Sequence, residues 1–73
     1  MPYILIQVTD EGVTKAQKEA MIAGATDLMV NVLNKDPEST FVVIDEVHTD
    51  NWGHGGEAVT KRRQREAAAK RTT

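Results

Sequence analysis

The sequence predicts an α/β protein: one β-α-β protomer with parallel strands, followed by a short C-terminal hairpin and a helical tail. Two apolar, β-branched runs flank a stretch of roughly 20 residues with helical spacing. A strand, a helix of that length and a second strand imply a right-handed crossover, which pairs the strands in parallel. The glycine-rich residues 53–56 then mark a tight turn.

The first predicted strand covers residues 3–9. These residues are β-branched and apolar with little alternation, the pattern of a strand that is covered on both faces. The polar and flexible residues Asp10, Glu11 and Gly12 end the run.

The predicted helix begins near Lys15 and runs to about Asn34. Thr14, followed three residues later by Gln17, forms a capping-box pattern, and Pro37 lies just beyond the other end. One wide apolar face follows the helical spacing and consists of Ala20, Met21, Ala25, Leu28, Met29, Val32 and Leu33.

Residues 39–47 are predicted to form the second strand. One helix and two strands cannot cover both faces of the resulting sheet, so other subunits are expected to cover the rest. After the strand, residues 51–56 are typical of a tight loop or hairpin. Residues 57–71 favour a helix by composition, and the last few residues are expected to fray.

Size and composition narrow the class of protein. A chain of 73 residues is one folding unit at most, and it has no Cys and no zinc-finger spacing. We therefore expect oligomerisation to supply the missing stability. No apolar run approaches the ~20 residues that cross a bilayer, and the N-terminus lacks the features of a signal peptide. A cytoplasmic protein that does not contact membrane is the expectation.

The charge distribution separates a domain at residues 2–60 from a basic tail at residues 61–73. Residues 1–60 carry three basic and ten acidic side chains, whereas residues 61–73 carry six basic ones and one acidic one. The tail could be solvated, or it could pair with acidic surface on a neighbouring subunit. A nucleic-acid-binding patch is disfavoured, because the domain is acidic and the tail has no aromatic residue to stack on bases.

Three features together carry a family resemblance. The chain opens with Met-Pro directly before a strand, has Gln17-Lys18-Glu19 in the first helical turn, and continues after the second strand with Trp52-Gly53-His54-Gly55-Gly56-Glu57. Over residues 2–63 it resembles the 4-oxalocrotonate tautomerase family, whose subunits begin with a catalytic proline. The resemblance implies dimers with joined sheets, usually a hexamer made of three dimers, and active sites shared between neighbouring chains.

The chemistry of Pro2 can also be argued from the residue itself. Removal of Met1 would leave Pro2 with a secondary amine. An ordinary α-amino group titrates near ~8, and burial in an apolar pocket or nearby cations lower that pKa. Such a base can take a proton from carbon next to a carbonyl and return it elsewhere, which is keto–enol tautomerisation. A proline in second place alone would merely start a strand, so the prediction depends on the downstream motif.

The resemblance also shows a departure. The family's two substrate-binding arginines correspond to Val13 and Phe41, and neither of these can bind a carboxylate. Trp52 keeps the position of the family's pocket aromatic, and Arg63 corresponds to a C-terminal basic position. The prediction is therefore a small enol or keto acid that is less polar than the family's dicarboxylate.

Several groups could replace the arginines. The candidates are His48, Asn51, His54, Tyr3, basic side chains of another subunit's tail, and the backbone N–H groups at 13–16. His48, Asp50 and His54 could also suggest a metal, but their spacing is not diagnostic. We expect no metal and no cofactor.

The leading prediction is an isomerase with Pro2 as its general base. Its substrate would contact Trp52, Phe41, Val13, His48 and Arg63, and its assembly would be a homo-oligomer, with a hexamer favoured. Three alternatives stay open at this point. The same proline could serve a hydratase, dehalogenase or decarboxylase; the chain could be a non-catalytic subunit of a hetero-oligomer; or the tail could bind nucleic acid.

Overall fold

The computed structural model describes residues 1–71, without the side chains of Lys70 and Arg71. In chain order the elements are β1 (Tyr3–Thr9), α1 (Lys15–Leu33), β2 (Phe41–Val47), β3 (Gly53–His54), β4 (Glu57–Ala58) and α2 (Val59–Arg71). The predicted β-α-β unit, C-terminal hairpin and helical tail are confirmed. The fraying expected at the chain end falls in part on residues 72–73, which lie outside the described residues.

The two long strands pair in parallel, as the crossover predicts. Their register runs from Tyr3 opposite Phe41 to Thr9 opposite Val47. Two further backbone hydrogen bonds extend the ladder beyond the strands. The Phe41 N–H donates to the Pro2 carbonyl at 3.0 Å, and the Asp10 N–H donates to the Val47 carbonyl, also at 3.0 Å.

Local capping sets both ends of α1. The Thr14 hydroxyl accepts from the Gln17 N–H at 3.1 Å, and the Gln17 side chain accepts from the Thr14 N–H at 2.9 Å. This is the reciprocal pair that the capping-box pattern predicts. At the other end Asn34 adopts a left-handed conformation with φ of 54°, which ends the helix at Leu33.

The second strand begins two residues later than predicted. Pro37–Ser39 form a short 3-10 helix, and the Asp36 side chain caps it by accepting from the Glu38 N–H at 3.0 Å. Proline favours the first turn of a helix because its φ is already fixed and its missing N–H would have no partner there. The extended pairing therefore starts only at Phe41.

Helix α1 covers one face of the sheet and leaves the other open. The side chains of Ile4, Ile6, Val42 and Ile44 are half-buried on the covered face. On the outer face Tyr3 is 62% exposed, Leu5 46%, Phe41 50% and Val43 44%. The apolar stripe of α1 is only partly covered as well, since Leu28, Val32 and Leu33 are exposed.

The single chain has no core of its own. None of residues 1–69 is buried, and the radius of gyration is 17.0 Å, whereas a compact domain of this length has a value of about 11 Å. The strands carry the composition of strands covered on both faces, yet one protomer supplies only one cover. Neither α1 nor α2, over the described residues, is long and apolar enough to span a membrane.

Candidate active site

Pro2 lies at the end of the sheet where both long strands begin. It directly precedes β1, is half-buried, and has its carbonyl held by the Phe41 N–H at 3.0 Å. Met1 projects from it and is 88% exposed. Met1 is thus at the surface, while the proline bonded to it is anchored to the sheet.

Several apolar side chains lie exposed at this end of the sheet. Tyr3 and Phe41 are register partners on the outer face, directly beside Pro2 in the chain and in the ladder. Helix α1 runs back from the end of β1 to the start of β2, so its last turn, with the exposed Val32 and Leu33, lies at the same end.

Three of the predicted site residues lie at the opposite end. Val13 follows β1, His48 follows β2, and Arg63 on α2 lines a cleft beside His48. Since each strand step advances the chain by about 3.3 Å, a strand of this length separates these residues from Pro2 by about 20 Å. Within one chain, the structure brings Pro2 to Phe41 and His48 to Arg63, but it does not bring the two groups together.

Val13 lies in an apolar cleft between the end of β1 and the first turns of α1. The other lining residues are Val8, Ala20, Met21 and Gln17. The side chain of Gln17 is already engaged in the helix cap. The cleft is therefore apolar at the position where the resemblance would place an arginine.

Arg63 is ion-paired within its own chain. Its guanidinium donates to one carboxylate oxygen of Glu11, and the other oxygen accepts from the Thr9 hydroxyl. The hydroxyls of Thr49 and Thr60 share a hydrogen bond nearby and bring α2 against the residues after β2. The sequence analysis treated Glu11 only as a residue that ends the first strand. Its position just after the carboxyl end of β1 was the available signal that it could lie near the site.

The side chain of His48 is exposed. Its Nδ1 accepts a hydrogen bond from the Asp50 N–H at 3.0 Å, so the neutral imidazole carries its proton on Nε2. That Nε2–H can donate to an oxygen of a bound molecule. In the part of the chain that the structure describes, His48, Asp50 and His54 form no group of three metal-binding side chains.

Trp52 and Arg63 line one further cleft, on the α2 side of the hairpin. The Trp52 carbonyl accepts from the Val59 N–H at 2.8 Å, which fixes the start of α2 beside the indole. His54, Val59, Arg62 and Glu66 complete the lining. Trp52, the predicted pocket aromatic, thus shares a cleft with Arg63, the predicted basic residue of the tail. Tyr3 lies at the far end of the sheet. Asn51 donates its N–H to the His48 carbonyl at 2.8 Å.

The described arginines of the tail all pair within the chain. Arg62 donates to Glu66 at 3.2 Å, Arg63 to Glu11 and Arg65 to Glu57. Two of these contacts, to Glu11 and Glu57, attach the first turns of α2 to the domain, and contact of the tail with a neighbouring subunit stays a prediction.

The comparisons with known proteins agree with this fold. Residues 2–62 match the family model described as "Tautomerase enzyme". Probable tautomerase K2 of Dickeya dadantii is 58% identical over 64 residues, which cover 88% of this chain and 96% of that protein.

Solved structures extend the agreement to three dimensions. DmpI from Helicobacter pylori superposes with a TM-score of 0.81 at 49% identity, covering 86% of this chain and 97% of that one. A 4-oxalocrotonate tautomerase isozyme from Methylibium petroleiphilum gives a TM-score of 0.74 at 34% identity, covering 81% and 94%.

A more distant structure shares the fold alone. It is the heterohexameric 4-oxalocrotonate tautomerase from Chloroflexus aurantiacus, with a TM-score of 0.76 at 18% identity over 84% of this chain and 97% of that one. The family model, the curated relative and the structures above 30% identity all indicate the same family. The chain therefore belongs to the tautomerase family, which supports an isomerase-type activity, and its resemblance to the 4-oxalocrotonate tautomerases is confirmed.

Proposed function

We propose that this protein is a keto–enol tautomerase in which Pro2, freed by removal of Met1, is the general base. The observation that carries the proposal is the position of Pro2. It is anchored at the start of the sheet through its carbonyl, while the residue attached to its nitrogen is almost fully exposed. An amine held this way reacts with little reorganisation, because the ring and the strand behind it fix the nitrogen.

The reaction is a transfer of one proton. The Pro2 nitrogen takes a proton from an enol hydroxyl or from carbon next to a carbonyl, and the resulting ammonium returns it to the other position. Tyr3 and Phe41 are exposed in the single chain, and a neighbouring subunit that covers them would favour the neutral amine, because desolvation disfavours the ammonium. His48, through its Nε2–H, is the group we assign to the oxygen that becomes negative during the transfer.

The proposed substrate is a small enol or keto acid with at most one carboxylate. Val13 and Phe41 offer no charge, so a dicarboxylate has no arginine pair to hold it. Trp52 supplies an apolar wall. Arg63 lines the same cleft and is the one predicted substrate contact that carries a fixed charge.

A complete site requires more than one chain. Because Pro2 and Phe41 lie about 20 Å from Val13, His48 and Arg63 in one protomer, we propose that a neighbouring subunit supplies the second group. The uncovered outer face of the sheet supports such an assembly. A homohexamer is the favoured form, and a hetero-oligomer with a related chain is the alternative.

The test combines mass, chemistry and mutation. Intact mass of the native protein should show loss of Met1, and tautomerisation should be lost in a Pro2→Ala variant and after acetylation of the proline. Full activity in the Pro2→Ala variant, or persistence of Met1 in active protein, would overturn the proposal. An inactive homomer that gains activity only when mixed with a related chain would assign it the role of a partner subunit.

A further inference from the structure

The starting point is the network around Glu11. Its two carboxylate oxygens are both engaged, one by the Thr9 hydroxyl and the other by the Arg63 guanidinium. The pair lies near the surface, with the side chain of Arg63 58% exposed and that of Glu11 34% exposed. The contact therefore links the loop after β1 to α2 without removing the guanidinium from solvent.

Arg63 is the cation that a bound anion would meet. It lines both the cleft beside His48 and the cleft beside Trp52. In the His48 cleft, the other charged lining residues are Asp10 and Glu11, both acidic. In the Trp52 cleft, Arg62 is already paired with Glu66. An incoming carboxylate would thus find its natural partner occupied by a carboxylate of the protein.

We propose that Glu11 competes with the substrate's carboxylate for Arg63 and so weakens the binding of anionic substrates. This inference rests on the proposed function, since it concerns the same site. Exposed ion pairs contribute little free energy, so a substrate carboxylate can displace Glu11 at a cost of up to about fivefold in affinity. The five N–H donors of arginine, held in a planar fork, then allow a two-point contact with the substrate.

The experiment compares one charged probe with a neutral analogue of the same shape. The probes are the enol form of phenylpyruvate, which carries one carboxylate, and the enol form of its methyl ester. In a Glu11→Gln variant the amide oxygen can still accept from the Thr9 hydroxyl, but the charge is gone. We expect KM for the acid to fall about three- to fivefold with kcat unchanged, and KM for the ester to stay as it is.

A matched control separates competition from loosening of α2. Glu57→Gln removes the partner of Arg65, another ion pair that holds α2, and leaves the pair between Glu11 and Arg63 intact. This variant should leave the ratio of the two KM values unchanged. Equal effects of the two substitutions, or a Glu11→Gln effect of the same size on acid and ester, would overturn the inference.

A binding measurement makes the test independent of catalysis. Trp52 is the single tryptophan of the chain and shares a cleft with Arg63, so its fluorescence reports on that cleft. Phenylacetate, an unreactive monocarboxylate, should bind more tightly to Glu11→Gln than to the unaltered protein. The gain should vanish when Arg63→Gln is added, and a gain that persists there would contradict the competition.

The two failures can be told apart. If Pro2→Ala keeps full activity, the proposed function fails, while the phenylacetate titration still measures the competition at Arg63. If Pro2→Ala is inactive and Glu11→Gln changes neither the KM ratio nor phenylacetate binding, only the competition is disproved.

Discussion

The backbone N–H of Phe41 donates a 3.0 Å hydrogen bond to the carbonyl of Pro2. This contact joins two residues 39 positions apart in sequence and places an aromatic residue next to the proposed base. The parallel pairing puts the starts of both strands at one end of the sheet and their ends at the other. Pro2 therefore lies far from Val13, His48 and Arg63.

Restoring the missing charges should change substrate preference. In a Val13→Arg, Phe41→Arg double variant, kcat/KM for a dienol dicarboxylate should rise at least tenfold relative to the enol of phenylpyruvate, since charge-assisted hydrogen bonds contribute about 1.5–3 kcal/mol. Steady-state kinetics with both substrates checks this. Asp27→Arg, at an exposed position of α1, is the control for added charge alone. An unchanged ratio of the two values would count against Val13 and Phe41 as substrate contacts.

The helix cap makes a separate contribution to stability. Replacing Thr14 by Ala removes the hydroxyl that accepts from the Gln17 N–H at 3.1 Å, and we expect a loss of about 1 kcal/mol in the free energy of unfolding. Chemical denaturation at a fixed protomer concentration measures it, since assembly also contributes to the apparent stability. Thr14→Ser, which keeps the hydroxyl, should stay within a few tenths of a kcal/mol of the unaltered protein. Equal stabilities of the Ala and Ser variants would show that the cap contributes nothing.

The outer face of the sheet should be needed for assembly. Leu5 is 46% exposed at the centre of that face, and a Leu5→Lys variant should shift the protein to a smaller species, because a buried unpaired charge is costly. Light scattering after size-exclusion chromatography gives the mass. Glu19→Lys, on the exposed side of α1, is the matched control and should keep the original mass. An unchanged mass for Leu5→Lys would mean that the assembly uses another surface.

The tail should not bind nucleic acid appreciably. Arg62, Arg63 and Arg65 are each paired with a carboxylate of the same chain, so these three side chains would release few counterions on contact with DNA or RNA. Fluorescence anisotropy with labelled duplex DNA and single-stranded RNA at low salt should show no saturable binding. Micromolar binding that weakens steeply with salt would contradict this expectation.

Sequence reasoning located nearly every element of the fold. The Thr14 and Gln17 pair and the turn at Asn34 are local signals, and local hydrogen bonds set both ends of α1. The start of β2 was predicted two residues early, since the pattern of apolar residues does not show that Pro37–Ser39, capped by Asp36, would form a 3-10 helix first. The roles of Pro2 and Trp52 were predicted from the family resemblance and stay predictions.

The arrangement of the site could not be derived in the same way. Glu11 and Arg63 are 52 positions apart, and no periodicity or motif connects a residue after β1 with one on the C-terminal helix. Their pairing depends on where the hairpin directs α2, which is decided by contacts such as the hydrogen bond from the Val59 N–H to the Trp52 carbonyl.

The sequence by itself determined the order of the elements, the cap at Thr14 and the parallel pairing, because each depends on interactions between residues close in the chain or on a topology with one permitted hand. The family followed from its short motifs. Only the tertiary structure decided which candidate residues meet. It placed Phe41 beside Pro2 and Arg63 against Glu11, and it left the outer face around Leu5 uncovered. The physical reason is that these contacts arise from the register of the strands and the direction of α2, and both are set by packing between parts of the chain far apart in sequence.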